Sequence, residues 1–189
     1  MGVRPDLRAS PASGARASAR WLAAVLESAA VDTATMADPA VTVDDLPAPR
    51  RVAIATLFGE ILGTERELAA LYGDFARRTQ IPRLREALEE LAEAKRGRVA
   101  ALTGMAATLT GDGSGAPTVP EPWGALPAPE ARRSDVFAHA FEGERALEAA
   151  YRELVVLLGD PARCPGLGEL AAGSARHRAL LRDLYLRYS

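Results

Sequence analysis

Cysteine is almost missing from this chain of 189 residues, with Cys164 the only one. That excludes an internal disulfide framework and a metal site built from thiolates. A lone thiol suits a reducing compartment, so a cytoplasmic location is the expectation. Aromatic residues make up only 5% of the chain, and no stripe of rings interleaved with cations appears, so nothing points to nucleic acid. Neither sign of charge dominates: 23 Lys and Arg face 25 Asp and Glu, for a formal net charge of −2. No apolar run approaches the roughly 18 residues of a membrane helix. A phosphate-cradling glycine loop followed by Lys and a nucleophile elbow are also lacking; Gly111, Gly113 and Gly115 precede no helix of suitable chemistry. What is present, 48% hydrophobic and 25% charged residues, is ordinary globular composition, enough for one domain with a real core.

Residues 1–18 are rich in Ala, Ser, Pro and Gly and read as a disordered tail that shares only its composition with a transit peptide. Residues 19–31 carry Trp21, Leu22, Val25, Leu26 and Ala29 on one side of a short amphipathic helix, expected to dock on its own chain. A proline-bearing linker then runs to residue 49. From Arg50 the pattern strengthens. Ile54, Phe58, Ile61, Glu65, Leu68, Tyr72 and Phe75 recur in steps of four and three, which places them on one helical face. A short turn around Gln80 follows, and Pro82 suits the first turn of a second helix. That helix steps through Leu84, Leu88, Leu91, Leu102, Met105 and Leu109, and the same steps put Lys95 and Arg98 in the middle of its apolar stripe. Two cations on a buried face are costly unless something answers them.

Residues 110–133 are dense in Gly and Pro, too long for a bundle turn, and read as a crossover. A third helix steps through Phe137, Ala140, Glu144, Leu147, Tyr151, Leu154 and Leu158. A fourth steps through Leu167, Leu170, Ser174, His177, Leu181, Leu184 and Tyr188. The halves match at a constant offset of 79 residues, as from Glu65 to Glu144. Phe58 and Phe137, Tyr72 and Tyr151, Leu91 and Leu170, and Leu102 and Leu181 keep that spacing, and Lys95 and Arg98 fall on Ser174 and His177. Coincidence of apolar, aromatic and polar positions reads as an internal repeat. The predicted fold is therefore all-α: hairpin 50–109, crossover 110–133 and hairpin 134–189 in a four-helix bundle with a short extra N-terminal helix. Glu65 and Lys95 lie equally far from Gln80 and should meet at one level.

A glutamate on the first helix of each half, followed seven residues later by tyrosine, with a polar pair three residues apart on the second helix, resembles the ferritin-like superfamily, nearest its rubrerythrin-like branch. The resemblance covers about 50–189. It implies a di-iron carboxylate centre with a Glu-x-x-His pair on the second and fourth helices. At those positions Glu65, Glu144 and His177 are kept, whereas Lys95 and Ser174 replace glutamates and Arg98 replaces histidine. Charged ammonium and guanidinium groups cannot coordinate iron, and they repel divalent cations. The expectation is a degenerate centre in which Glu65, Lys95, Arg98, Glu144, Ser174 and His177 form a buried polar network, with no cofactor. Such a protein serves as a scaffold, through an unidentified protein partner or self-association, without nucleic acid or membrane. The alternative is a rubrerythrin-like metal-binding oxidoreductase using Glu65, Glu144 and His177 to hold iron or manganese. A third reading gives Arg98 and Lys95 to an anionic or small ligand between the helices. No replacement ligand is well placed: Glu60, Glu67 and Glu93 lie off the stripe, Glu148 only at its edge, and His139 beside it. Tyr72 and Tyr151 read as core aromatics whose hydroxyls need partners.

Overall fold

The computed structural model describes residues 46–109, 127, 131–159 and 165–188. The expected tail, the amphipathic helix at 19–31, the linker up to residue 45 and almost all of the crossover lie outside the described residues. Four helices, and no strand, are present among those described: α1 Ala48–Arg78, α2 Pro82–Leu109, α3 Arg133–Leu158 and α4 Pro165–Tyr188. None is long and apolar enough to cross a membrane.

Local chemistry sets the ends. Pro47 and the proline at the start of α1 suit a helix entry, so α1 begins two residues earlier than the periodicity suggests. It stops at Thr79, whose backbone turns extended and whose N–H is taken by the Phe75 carbonyl. Arg85 Nη2 donates to the Thr79 carbonyl at 2.9 Å, and Pro82 opens α2, so the turn is short and α1 and α2 run antiparallel. α3 ends at Gly159, which adopts the left-handed conformation (φ 85°) and closes the last turn with its N–H on Val155 and Val156 carbonyls. The Arg50 guanidinium donates to the Leu157 carbonyl and, at 3.4 Å, to that of Val156. The start of α1 is thereby tied to the end of α3. At the other end Phe75 meets the Phe137 ring edge-on at 5.4 Å, so these helices are also antiparallel.

One apolar core joins all four helices, with Ile61, Leu62, Leu68, Leu84, Leu91, Leu102, Leu147, Leu154, Leu167 and Leu170 nearly or wholly enclosed. Except for Leu62, these are positions the steps of three and four single out, since a stripe of that period is what a helix can bury against its neighbours. The α1–α3 contact is close: a Cβ at Gly143 would stand 2.9 Å from Leu68 Cδ2. α2 and α4 complete the two hairpins and meet at a polar contact, Arg98 to Ser174. That is where the core stops being hydrocarbon.

Candidate functional site

Each helix brings its polar positions to the same level of the core. Glu65 follows Ile61 on α1 by one turn, and Glu144 follows Ala140 on α3 in the same way. Lys95 and Arg98 occupy successive turns of α2, and Ser174 and His177 do so on α4. Because these residues continue the apolar stripes, packing the stripes drags them inside. Glu65, Lys95, Glu144 and Ser174 are fully buried, and Arg98 and His177 are only 5% exposed.

Lys95 is the centre of the group. Its Nζ lies 2.9 Å from Glu65 Oε2 and 2.8 Å from Glu144 Oε2. The second contact is a hydrogen bond, whereas the first is an ion pair outside hydrogen-bonding angles, which leaves Glu65 Oε2 without a hydrogen bond. The other carboxylate oxygens are served from across the bundle. Tyr151 donates its hydroxyl to Glu65 Oε1 at 2.7 Å, and Tyr72 donates to Glu144 Oε1 at 2.9 Å. Each tyrosine thus reaches the glutamate of the opposite hairpin. Arg98 Nη1 stands 3.7 Å from Glu65 Oε1 and donates to Ser174 Oγ at 3.3 Å. His177 Nδ1 is 3.1 Å from Glu144 Oε1. A carboxylate only accepts, so that nitrogen carries the proton.

The electrostatics follow from this arrangement. Burial by itself would raise the Glu144 carboxyl, but Lys95, His177 and Arg98 outweigh it and hold the group well below the ordinary carboxylate range. Burial lowers His177, with Arg98 and Lys95 adding to the effect against Glu144, so its imidazole is neutral near pH 7. Burial and the Glu144 charge push the Tyr72 hydroxyl far up, and burial and Glu65 do the same to Tyr151. Both remain donors. Two carboxylates, an ammonium and a guanidinium therefore balance in charge, with neutral hydroxyls and an imidazole adding hydrogen bonds to Glu65 Oε1 and Glu144 Oε1.

Space for the two cations comes from α4. A Cβ at Gly173 would collide with Arg98 Nη2, so the guanidinium lies over bare backbone. Ser174, at the position matching Lys95, is small enough to leave the midline to a single long side chain. Neither role was evident from sequence, where Gly173 is one glycine among 16. Its adjacency to a serine on the stripe was the available signal.

Glu148, expected only at the edge of the stripe, is buried at 7% exposure. It forms a separate cluster, paired with Arg152 at 2.5 Å and Arg178 at 2.9 Å, and Arg178 also stacks over Phe141. Arg152 sits one turn along α3, and Arg178 arrives from α4, which is what makes burial of this carboxylate affordable. Glu60 and Glu93 are exposed, while Glu67 and His139 are half-buried.

The centre is a buried cluster in which two carboxylates face two cations. Glu65, Glu144 and His177 are brought together, but the Lys95 ammonium fills the point between the two carboxylates. Among the described residues, no group of three or more His, Cys, Asp or Glu side chains is arranged to hold a metal ion. No protein-family model, curated protein or solved structure matches the chain.

Proposed function

We propose that this chain is a ferritin-like bundle, of rubrerythrin-like ancestry, in which an internal ion-pair centre has taken the place of the di-iron site, and that it acts as a structural or interaction scaffold. The carrying observation is Lys95 Nζ, 2.9 and 2.8 Å from carboxylates of two different hairpins and wholly buried. A bridging metal ion neutralises two glutamates and ties two helical hairpins together; here the ammonium does both, tethered to α2. The residues present do not suit iron. The Lys95 ammonium lies between the Glu65 and Glu144 carboxylates and would repel a divalent cation, Arg98 adds a second positive charge, and Ser174 offers only a neutral hydroxyl. A locked core of this kind leaves the outer faces of the helices as the working surface, for a protein partner or another copy.

The test is metal analysis of protein produced with iron and manganese supplied. The expected content is far below one equivalent per chain and unaltered by Glu144→Ala. Near-stoichiometric, tightly held metal that disappears with Glu144→Ala would overturn the proposal and favour the oxidoreductase reading at Glu65, Glu144 and His177.

A further inference from the structure

The outer face of the second hairpin differs from that of the first. Between the first half of α3 and the last half of α4 it bears a groove of about 400 Å³, lined by Phe137, Ala138, Phe141, Leu181 and Tyr185. Its rings are only partly covered: Phe141 is half-buried and Tyr185 is 39% exposed. Leu186, the next residue along α4, is 71% exposed. At the offset of 79 residues the first hairpin has Leu62 for Phe141 and Ala106 for Tyr185, both buried. The charges differ too. Asp135 and Arg182 border the groove, where the first hairpin has Thr56 and Thr103. Among the described residues, the Asp135 carboxylate accepts only from the Ser134 hydroxyl, and no carboxylate pairs with Arg182.

α3 and α4 are antiparallel, with the Phe137 ring edge-on to Tyr185 at 5.8 Å and Arg133 Nη1 on the Tyr188 carbonyl. Asp135 comes two residues before Phe137 on α3, and Arg182 comes three residues before Tyr185 on α4. They therefore stand on different helices and on opposite sides of the ring pair. Their offset along the bundle, about 7–8 Å at the rise of a helix, is close to the separation of about 8–10 Å between packed helices. The groove is thus bounded by opposite charges at diagonal corners, with exposed rings between them.

We propose that the groove is covered by the same groove of a second copy, in a dimer closed by a two-fold axis through the Phe137–Tyr185 pair. An axis in the plane of the groove, at right angles to the line from Asp135 to Arg182, exchanges the two corners. Each Asp135 then meets Arg182 of the other copy, and the exposed edges of the two Tyr185 rings pack together. Two ion pairs arise from one pair of residues, as a self-complementary contact requires. Like charges at the two corners would repel in the same arrangement. That self-complementarity selects a second copy, since any other partner would have to bring the reversed pair of charges itself. Eight residues line the groove, fewer than the roughly 20–30 per side of a standard interface, so the dimer forms in the micromolar range and above. The inference takes up the reading that the outer helix faces are the working surface. Its failure shows in the mass of the particle, whereas failure of that reading shows in metal content.

Sedimentation of the full chain from micromolar to millimolar concentration provides the test. The weight-average mass should climb from one chain to two and stop there. Tyr185→Glu should hold it at one chain, with helicity unchanged. Arg182→Glu sets acidic groups against each other at both corners, and Asp135→Arg does the same with basic groups, so each alone should weaken dimerisation severalfold. Mixing these two variants should restore it, because the mixed pair has opposite charges at both contacts. Combining them in one chain should do so as well. A mass of one chain at every concentration overturns the proposal. A mass that rises past two chains also sinks it, in favour of an open head-to-tail contact. A dimer untouched by Tyr185→Glu would place the contact on another face, and charge variants that the mixture does not rescue would remove the two-fold pairing; either result overturns the proposal.

Discussion

The two hairpins place side chains at matching positions and fill them with opposite chemistry. At the level of the glutamates, α2 supplies Lys95 and Arg98, both of the centre's cations, while α4 supplies Ser174, His177 and the bare backbone of Gly173. One half contributes charge; the other contributes room and neutral hydrogen bonds. The common parts, Glu65 with Tyr72 and Glu144 with Tyr151, are wired crosswise, so neither half completes its own carboxylate. The difference teaches that the midline accepts one long cation only. Two lysines would add charge without adding carboxylates, and two serines would leave a pair of buried negative charges facing each other.

The sharpest way to break the comparison is to remove the ammonium. Lys95→Met should cost about 3–5 kcal/mol, the usual penalty for stranding buried partners of an ion pair, read as a fall in the denaturant midpoint. If only position on the midline matters, Lys95→Ser combined with Ser174→Lys should recover a large part of that loss. A double variant no better than Lys95→Ser alone would show that the halves are not interchangeable.

Next in size are the crosswise hydroxyls. Tyr72→Phe and Tyr151→Phe should each destabilise by about 1.5–3 kcal/mol, since each removes a hydrogen bond to a buried charged group. Similar losses are expected from the two; a large disparity in chemical denaturation would mean that one carboxylate depends far more on its tyrosine. Gly173→Ala should cost about 1–3 kcal/mol by forcing Arg98 from its seat. Ala94, which matches it in the first hairpin, already tolerates a methyl group and is half-buried.

The smallest effect is a pH slope. His177 has a folded pKa below its unfolded value near 6.5, so the unfolded chain binds more protons just below that pH and stability falls as the solution is acidified. The Glu144 contribution works in a lower window: present above about 4.3, the unfolded value, it is lost only as pH falls towards its much depressed folded pKa. His177→Gln should flatten the stability profile just below pH 6.5 and leave the steeper acid limb in place. An unchanged profile would remove His177 from the account.

Much of this was legible beforehand because helical periodicity reports faces. The steps from Ile54 to Phe75 and from Phe137 to Leu158 identified the buried sides of α1 and α3, and they placed both glutamates inside. The offset of 79 residues aligned Lys95 with Ser174. Periodicity does not say which neighbour a side chain meets. Tyr72 was recognisable as a buried hydroxyl in need of an acceptor, but its choice of Glu144 over Glu65 depends on how the helices cross. Glu148 lay at the margin of a stripe, where a half-turn of helix decides between solvent and core; burial follows from Arg178, brought by a different helix. Gly173 escaped because a missing side chain has no pattern of its own. The Arg50 clasp on the end of α3 likewise depends on tertiary placement, since that arginine looks like any other in the first turn of α1.

The crosswise wiring has a consequence for how the molecule comes apart. A single hairpin that kept its native shape would expose its apolar stripe to water and break the pairs that cross the bundle: Glu144 would lose Lys95 and Tyr72, and Lys95 and Arg98 would lose Glu144 and Ser174. Half-folded states are thereby penalised from both sides. The two hairpins should melt in one step, without a stage at which one stands while the other is gone.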